Sequence, residues 1–299
     1  MEIKTSLSRK VFLILNYVFL ALSGILCILP FINLLAISFS SATPVSMGEV
    51  SFWPKEFTLK SYEFIMQNTT FFKSFFVSIA RVALGVTVNL LLIVLTAYPL
   101  SKSKNQFRAR NIYSWFFVIT ILFNAGMIPT FLIVRYTGLK NTIWSMILPG
   151  ALPVFSMLVV MNFLRGLPKE LEEAAYLDGA SHIQTLFHVI LPLLKPALAT
   201  VALFSIVSHW NSWFDGMLYM SRPEQQPLMT YLRTIIVNPS LFLSNSTSVS
   251  SALSEASQYI NTRTIRAAQL IIAAFPMLVV YPFIQKHFTT GLVMGSVKG

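Results

Sequence analysis

Residues 11–37 carry no charged side chain, and five later stretches, about 72–99, 111–134, 142–164, 194–218 and 264–285, carry no more than two each. This pattern constrains the fold more than any other feature. The hydrocarbon core of a bilayer takes about 20 apolar residues of helix to cross. Inside it every backbone N–H and C=O must bond internally, which leaves only helices or closed barrels. Barrel strands alternate over about 10 residues, and these runs are longer and do not alternate. Hydrophobic residues make up 55% of the chain and charged residues 11%, against about a quarter charged in soluble domains. The sequence therefore predicts an all-α polytopic protein, one transmembrane domain over 1–299 with six transmembrane helices at these positions. Lys4, Arg9 and Lys10 before the first run also suit a signal peptide. Its 27 residues exceed the usual apolar region of ~7–15, so a retained span is expected.

Lys102, Lys104, Arg108 and Arg110 crowd the short connection after the second run, and Arg165 and Lys169 follow the fourth. The positive-inside rule places both connections in the cytoplasm. Both termini are then cytoplasmic, with outward loops at 38–71, 135–141 and 219–263. A net charge of +11 fits basic loops against anionic membrane lipid, and no nucleic-acid partner is expected. Gly126 and Pro129 interrupt the third span, and Pro149 and Pro153 break the outer half of the fourth. Broken helices survive in a bilayer only where protein or water covers the freed backbone, so these halves are expected to wall a cavity. The single cysteine, Cys27, lies in an apolar run, and the four histidines form no ligand spacing.

The inward stretch 170–192 is the most polar between two long apolar runs. Glu170, Glu172 and Glu173 load a helix N-terminus with the sign of charge its dipole favours. Leu171, Ala174, Ala175 and Asp178 share one face at i, i+3, i+4 and i+7. Gly179 suits a left-handed stop. Ser181 with Gln184 reads as a capping box. It opens a second helix whose apolar face is Ile183, Leu186, Phe187 and Ile190, and Pro192 limits it. The expectation is a helix–turn–helix with an alanine face that lets another protein approach closely.

Glu173-Ala174-Ala175, Gly179 and Leu191-Pro192 match the EAA…G…I-x-L-P loop of bacterial ABC importer permeases, with Val189 where the usual Ile stands. The longer EAAYLDGAS resembles the carbohydrate-uptake branch, in particular the second permease subunit of maltose-type, binding-protein-dependent transport systems. FTLKSYEFI after the first span and the ending QKHFTTGLVMGSVKG agree, so the resemblance covers nearly the whole chain.

This resemblance implies a multi-pass permease subunit of the bacterial cytoplasmic membrane that carries a carbohydrate. The broken spans and large outer loops suit an oligosaccharide. Its implied partners are a second homologous permease in a heterodimer, two nucleotide-binding ATPase subunits and an extracellular sugar-binding protein. ATP and Mg would be bound by the ATPase, in whose cleft the loop 166–192 would sit as a coupling helix. Glu172, Glu173, Ala174, Ala175, Asp178 and Gly179 would form that contact. Glu173 supplies charge, the two alanines close packing and Gly179 the turn; Asp178 either meets the partner or braces the loop. The tail after Lys286 would reach the ATPase, and residues 219–263 the binding protein.

The sequence has no GxxxxGK[ST] phosphate loop and no nucleophile–base set or metal motif. The chain is therefore expected to be non-catalytic, with no cofactor of its own. The alternative is an ion-coupled secondary carrier, which calls for paired intramembrane acids or inverted repeats; the sequence displays neither.

A transport path should show as polar groups inside spans. Candidates are Arg81 and Asn89 in the second span, Asn124 in the third, and His209, Trp210, Asn211, Trp213 and Asp215 in the fifth. Aromatic faces stack on sugar rings and polar groups pair with hydroxyls; the same tryptophans also suit an interfacial belt. On a continuous helix Asn211 and Asp215 share one face, and His209 and Trp213 another. Arg81 either snorkels to the outer interface or faces the cavity. In the cavity it would pair with Asp215 or read a substrate carboxylate.

Overall fold

The computed structural model describes residues 7–237 and 260–296, and the side chains of 7–235 and 260–282. The central part of the expected binding-protein loop and the side chains of the tail after Lys286 lie outside the described residues. In chain order the helices are α1 (Leu7–Ser38), α2 (Ala42–Ser46), α3 (Lys60–Met66), α4 (Thr69–Ser101), α5 (Arg110–Leu122), α6 (Met127–Tyr136) and α7 (Val154–Arg165). There follow α8 (Glu170–Leu177), α9 (His182–Gln184), α10 (Leu191–Leu193), α11 (Lys195–Asn211), α12 (Phe214–Tyr219), α13 (Leu228–Val237) and α14 (Thr262–Ser296). The only β pairing among the described residues is an isolated bridge between Ser40 and Phe57.

Three helices are long and apolar enough to cross a bilayer alone: Leu7–Ser38, Thr69–Ser101 and Thr262–Pro282. Three more crossings arise if each bent pair counts as one span, which brings the total to six. The breaks have local causes. Between α5 and α6 the axis turns by 115°, where Gly126 takes φ +85° and the Asn124 side chain accepts from the Gly126 N–H at 2.8 Å. Pro129 then falls in the first turn of α6, where the missing N–H has no intrahelical partner. In the next span Pro149 and Pro153 interrupt the ladder, and residues 143–150 form two 3-10 turns set at 51° to α7. The segments His182–Leu193 and Lys195–Asn211 meet at 78°.

The chain divides into two compact units, residues 1–69 with 234–274 and residues 70–233 with 275–299. In the first, Ala36, Ile37, Val45 and Val50 pack with Ala267. Asn261 donates to Ala42 O at 3.2 Å and to Ser46 Oγ at 3.0 Å. Phe39 stacks on both Phe57 and Tyr62. In the second unit, Ile93 and Ala97 of α4, Met157 and Val160 of α7, and Val201 of α11 share a core with Leu186, Ile190 and Leu194.

Three local expectations change. The fifth span does not run as one helix to 218: α11 stops at Asn211, Ser212 is extended at ψ 126°, and α12 restarts at Phe214. The face shared by Asn211 with Asp215, and by His209 with Trp213, therefore does not exist. The 219–263 loop contains α13, whose Leu228, Tyr231, Leu232 and Ile235 are buried. Their i, i+3, i+4, i+7 spacing is a helical stripe that the Ser/Thr-rich run further along obscured. The apolar face after Ser181 also splits. Leu186 and Ile190 are buried, while Ile183 and Phe187 are exposed. Residues Thr185–Ile190 are π-helical, and the wider turn rotates positions that an α-helix would align.

Gly216 in α12 lies under α13 and its leading turn. A Cβ there would meet Thr230 Oγ1 and come within 2.6 Å of Pro227 Cδ. Gly216→Ala is expected to cost about 1–3 kcal/mol through overpacking, read as a fall of several degrees in the Tm of the purified protein. An unchanged Tm rejects this packing.

Candidate functional site

The loop after α7 builds as a helix–turn–helix. Glu170, Glu172 and Glu173 occupy the first turn of α8. At its end the Ala180 N–H bonds Ala175 O at 2.9 Å and the Gly179 N–H bonds Tyr176 O at 3.0 Å. With Gly179 at φ +80°, this is a Schellman stop. Ser181 then caps α9 with both halves of a capping box. Across the turn the Tyr176 hydroxyl meets His182 Nδ1 at 2.8 Å.

The loop is tied to the end of α4. Glu172 forms an ion pair with Lys102, whose ammonium also lies 3.9 Å from the centre of the Tyr98 ring. Tyr98 and Tyr176 hydroxyls approach to 3.4 Å. Burial pushes the Lys102 ammonium below its usual range, against the pull of Glu172. Among the expected loop residues, Glu172 and Ala175 thus turn toward this chain's own body, with Ala175 buried. Glu173, Ala174, Asp178 and Gly179 are exposed. Asp178 is the C-cap residue of α8, its N–H bonded to Ala174 O at 3.0 Å. Leu177, 89% exposed, joins this outward face and was not singled out from the sequence. Its signal was an apolar residue directly before the Asp-Gly stop.

The second feature is a cavity of about 430 Å³ in the unit formed by residues 70–233 with 275–299. Arg81 on α4 is 2% exposed and reaches two backbone breaks. Its Nη1 donates to Asp215 Oδ1 at 3.1 Å and to Ser212 O at 3.4 Å. Its Nη2 pairs with Asp215 Oδ2 and donates to Met146 O at 3.3 Å. Asp215 also accepts from Ser212 Oγ at 2.8 Å and from the Gly216 N–H at 2.9 Å. Arg81 therefore does not snorkel to an interface. Beside it, His209 Nε2 lies 3.4 Å from Asn89 Oδ1, and its ring lies against Gly85, where a Cβ would sit 2.5 Å from Nε2.

Of the expected path residues, Arg81, Asn89, His209 and Asp215 line this cavity and the others do not. Asn124 is exposed and caps the α5–α6 break. Trp210 is buried edge-on to Phe75 at 5.9 Å. Asn211 is exposed, and the Trp213 ring carries the Arg233 guanidinium at 4.3 Å. The serines of the wall went unnoticed in the sequence: Ser145, Ser156, Ser205, Ser208 and Ser212. Their signal was present, since Ser205, Ser208, His209 and Ser212 fall at i, i+3, i+4 and i+7.

Residues 5–293 match the family described as "Binding-protein-dependent transport system inner membrane component". Protein LplC of Bacillus subtilis is 38% identical over 290 residues, covering 97% of this chain and 96% of its own. The polygalacturonan/rhamnogalacturonan transport system permease protein YtcP of the same organism is 36% identical, covering 98% and 100%. The crystal structure of a bacterial ABC transporter that imports the acidic polysaccharide alginate contains a chain with a TM-score of 0.87 and 32% identity, covering 95% of this chain and 99% of that one. With six potential crossings and this loop, the chain belongs to the inner-membrane permeases of binding-protein-dependent ABC importers.

Proposed function

We propose that this permease carries a carbohydrate, in the size range of an oligosaccharide, and that ATP hydrolysed by a separate subunit acts on it through the loop around α8. Two of the similar proteins are named for polysaccharide import, which supports a saccharide cargo. The complete importer would hold a second, homologous permease, two ATPase subunits that bind ATP and Mg, and an extracellular binding protein that meets residues 219–263. The basic connections at 102–110 and 165–169 support cytoplasmic termini and a cytoplasmic α8. The chain itself would be a single non-catalytic transmembrane domain. An ion-coupled carrier is not favoured, because it gives the loop no task.

The observation that carries this reading is the two-sidedness of α8. Glu172 and Ala175 hold the loop to its own chain, while Glu173, Ala174 and Leu177 face outward. A partner gripping the outer face would move the inner one. Helix α4 then carries that displacement unbroken from Ser101 toward Arg81, about 30 Å at 1.5 Å per residue. ATP would act by favouring one state through differential contacts. In the cavity, serine hydroxyls, Asn89 and His209 would pair with sugar hydroxyls.

Gly179→Leu and Glu173→Lys are expected to abolish uptake while leaving the protein in the membrane. Open space surrounds Gly179, so the leucine meets only the left-handed backbone penalty of about 1–2 kcal/mol. Normal uptake by a Gly179→Leu strain rejects the coupling role.

Arg81→Ala and Asp215→Ala are each expected to impair uptake, because each leaves a charge uncompensated at a cost of about 3–5 kcal/mol. The double variant should lose less than the two single losses combined. Normal transport by all three moves the path elsewhere.

A further inference from the structure

A cleft of about 470 Å³ opens where the ends of α4 and α7 meet the starts of α5 and α8. Its wall carries four cations, Lys102, Arg110, Arg165 and Lys169, against two carboxylates, Glu172 and Glu173. Lys102 is committed to Glu172. That leaves Arg110, Arg165 and Lys169 against the single carboxylate of Glu173, a positive excess. Arg110 Nη1 donates to Lys102 O at 3.0 Å and Arg165 Nη2 to Leu100 O at 3.2 Å, so both arginines cap the carbonyl end of α4. A guanidinium has five N–H donors, and these bonds use a minority of them. The Arg110 Nε is buried with no acceptor among the described residues. Arg165, at the end of α7, is exposed. Two like charges gathered at one helix end gain most from an anion between them.

We propose that this cleft binds a phosphate group, presented by the headgroup of an anionic phospholipid or as a free phosphate. The cleft lies at span ends, which is the level of headgroups, and basic pockets between transmembrane helices take such groups. Helix α5 leaves it with no buried side chain, and Ile112, Trp115 and Phe116 are exposed along it. That face suits acyl chains, and Tyr113 and Trp115 in its first two turns are of the types enriched at membrane interfaces. Lys104 and Arg108, both exposed beside the cleft, strengthen the attraction. Because the cleft borders α8, an occupied site would brace the α4 end to which Glu172 is tied.

The test uses the assembled importer in neutral detergent. It is titrated with phosphatidylglycerol, phosphatidylcholine or inorganic phosphate, with bound species counted by native mass spectrometry and Tm followed in parallel. Phosphatidylglycerol should bind at least about tenfold tighter than phosphatidylcholine and raise Tm. The Arg110→Gln/Arg165→Gln variant should lose that preference. Lys169 is exposed and makes none of the α4 caps, so Lys169→Gln keeps the test open if the double variant fails to assemble; it should lower the preference by a smaller factor. Competition by millimolar inorganic phosphate supports the site and assigns it to a soluble source, and its absence assigns it to lipid. Equal binding of the two lipids with no effect of inorganic phosphate overturns the proposal. So does a Lys169→Gln variant that keeps the full preference while losing the ATPase subunit, which would make the cleft a protein contact.

Discussion

Two breaks in the spans of this permease depend on one guanidinium. Breaking a helix at membrane depth frees backbone carbonyls that lipid cannot satisfy. Arg81 bonds Ser212 O, where α11 ends, and Met146 O, within the 3-10 turns that replace the outer part of the fourth span. Its charge is balanced by Asp215 in the first turn of α12, where a carboxylate also suits the helix dipole. One residue on an unbroken helix thus meets the needs of two broken ones. Each charge makes the other tolerable, and together they make the breaks tolerable.

The opposite end of α4 repeats the arrangement at lower stakes. Lys102 pairs with Glu172 over the Tyr98 ring, and Arg110 and Arg165 take the last carbonyls. The helix between them is continuous from Thr69 to Ser101, with its proline, Pro99, in the last turn. Its buried polar positions Ser74, Ser78, Arg81 and Asn89 lie on the same helix as Ile93 and Ala97, which pack in the apolar core. The helix is therefore clamped along its length, by polar contacts toward one end and apolar ones toward the other.

The fold class was legible in the sequence because bilayer thickness sets run length. The loop was legible because its capping residues act locally: Gly179 takes φ +80° and Ser181 with Gln184 closes the capping box, each determined within a few residues. What could not be read was anything set by tertiary contact. Helix periodicity continued through Ser212, yet the chain breaks there because Arg81, far away in sequence, offers its carbonyl a better partner. Asn124 looked like a path residue and is a turn former, since nothing in its neighbourhood distinguishes the two. Glu172 and Glu173 are adjacent and chemically alike, and only the position of Lys102 assigns one inward and the other outward.

The Arg81–Asp215 pair also limits how the protein can move. Such a buried pair adds little net stability when intact, but separating the partners leaves charges that are expensive to desolvate. A conformational cycle that kept them in the cavity and split them would meet that cost at every turnover. The inexpensive cycle keeps α4, the Ser212 break and α12 together as one body and lets the flanking breaks do the bending. Gly126 at φ +85°, between α5 and α6, and the junction of α10 with α11 are outside the Arg81 network. These joints can change angle without breaking a charge-assisted bond. The arrangement that lets two spans break thus also makes a cycle in which α4, the Ser212 break and α12 stay together, with the other joints as hinges, the least costly one.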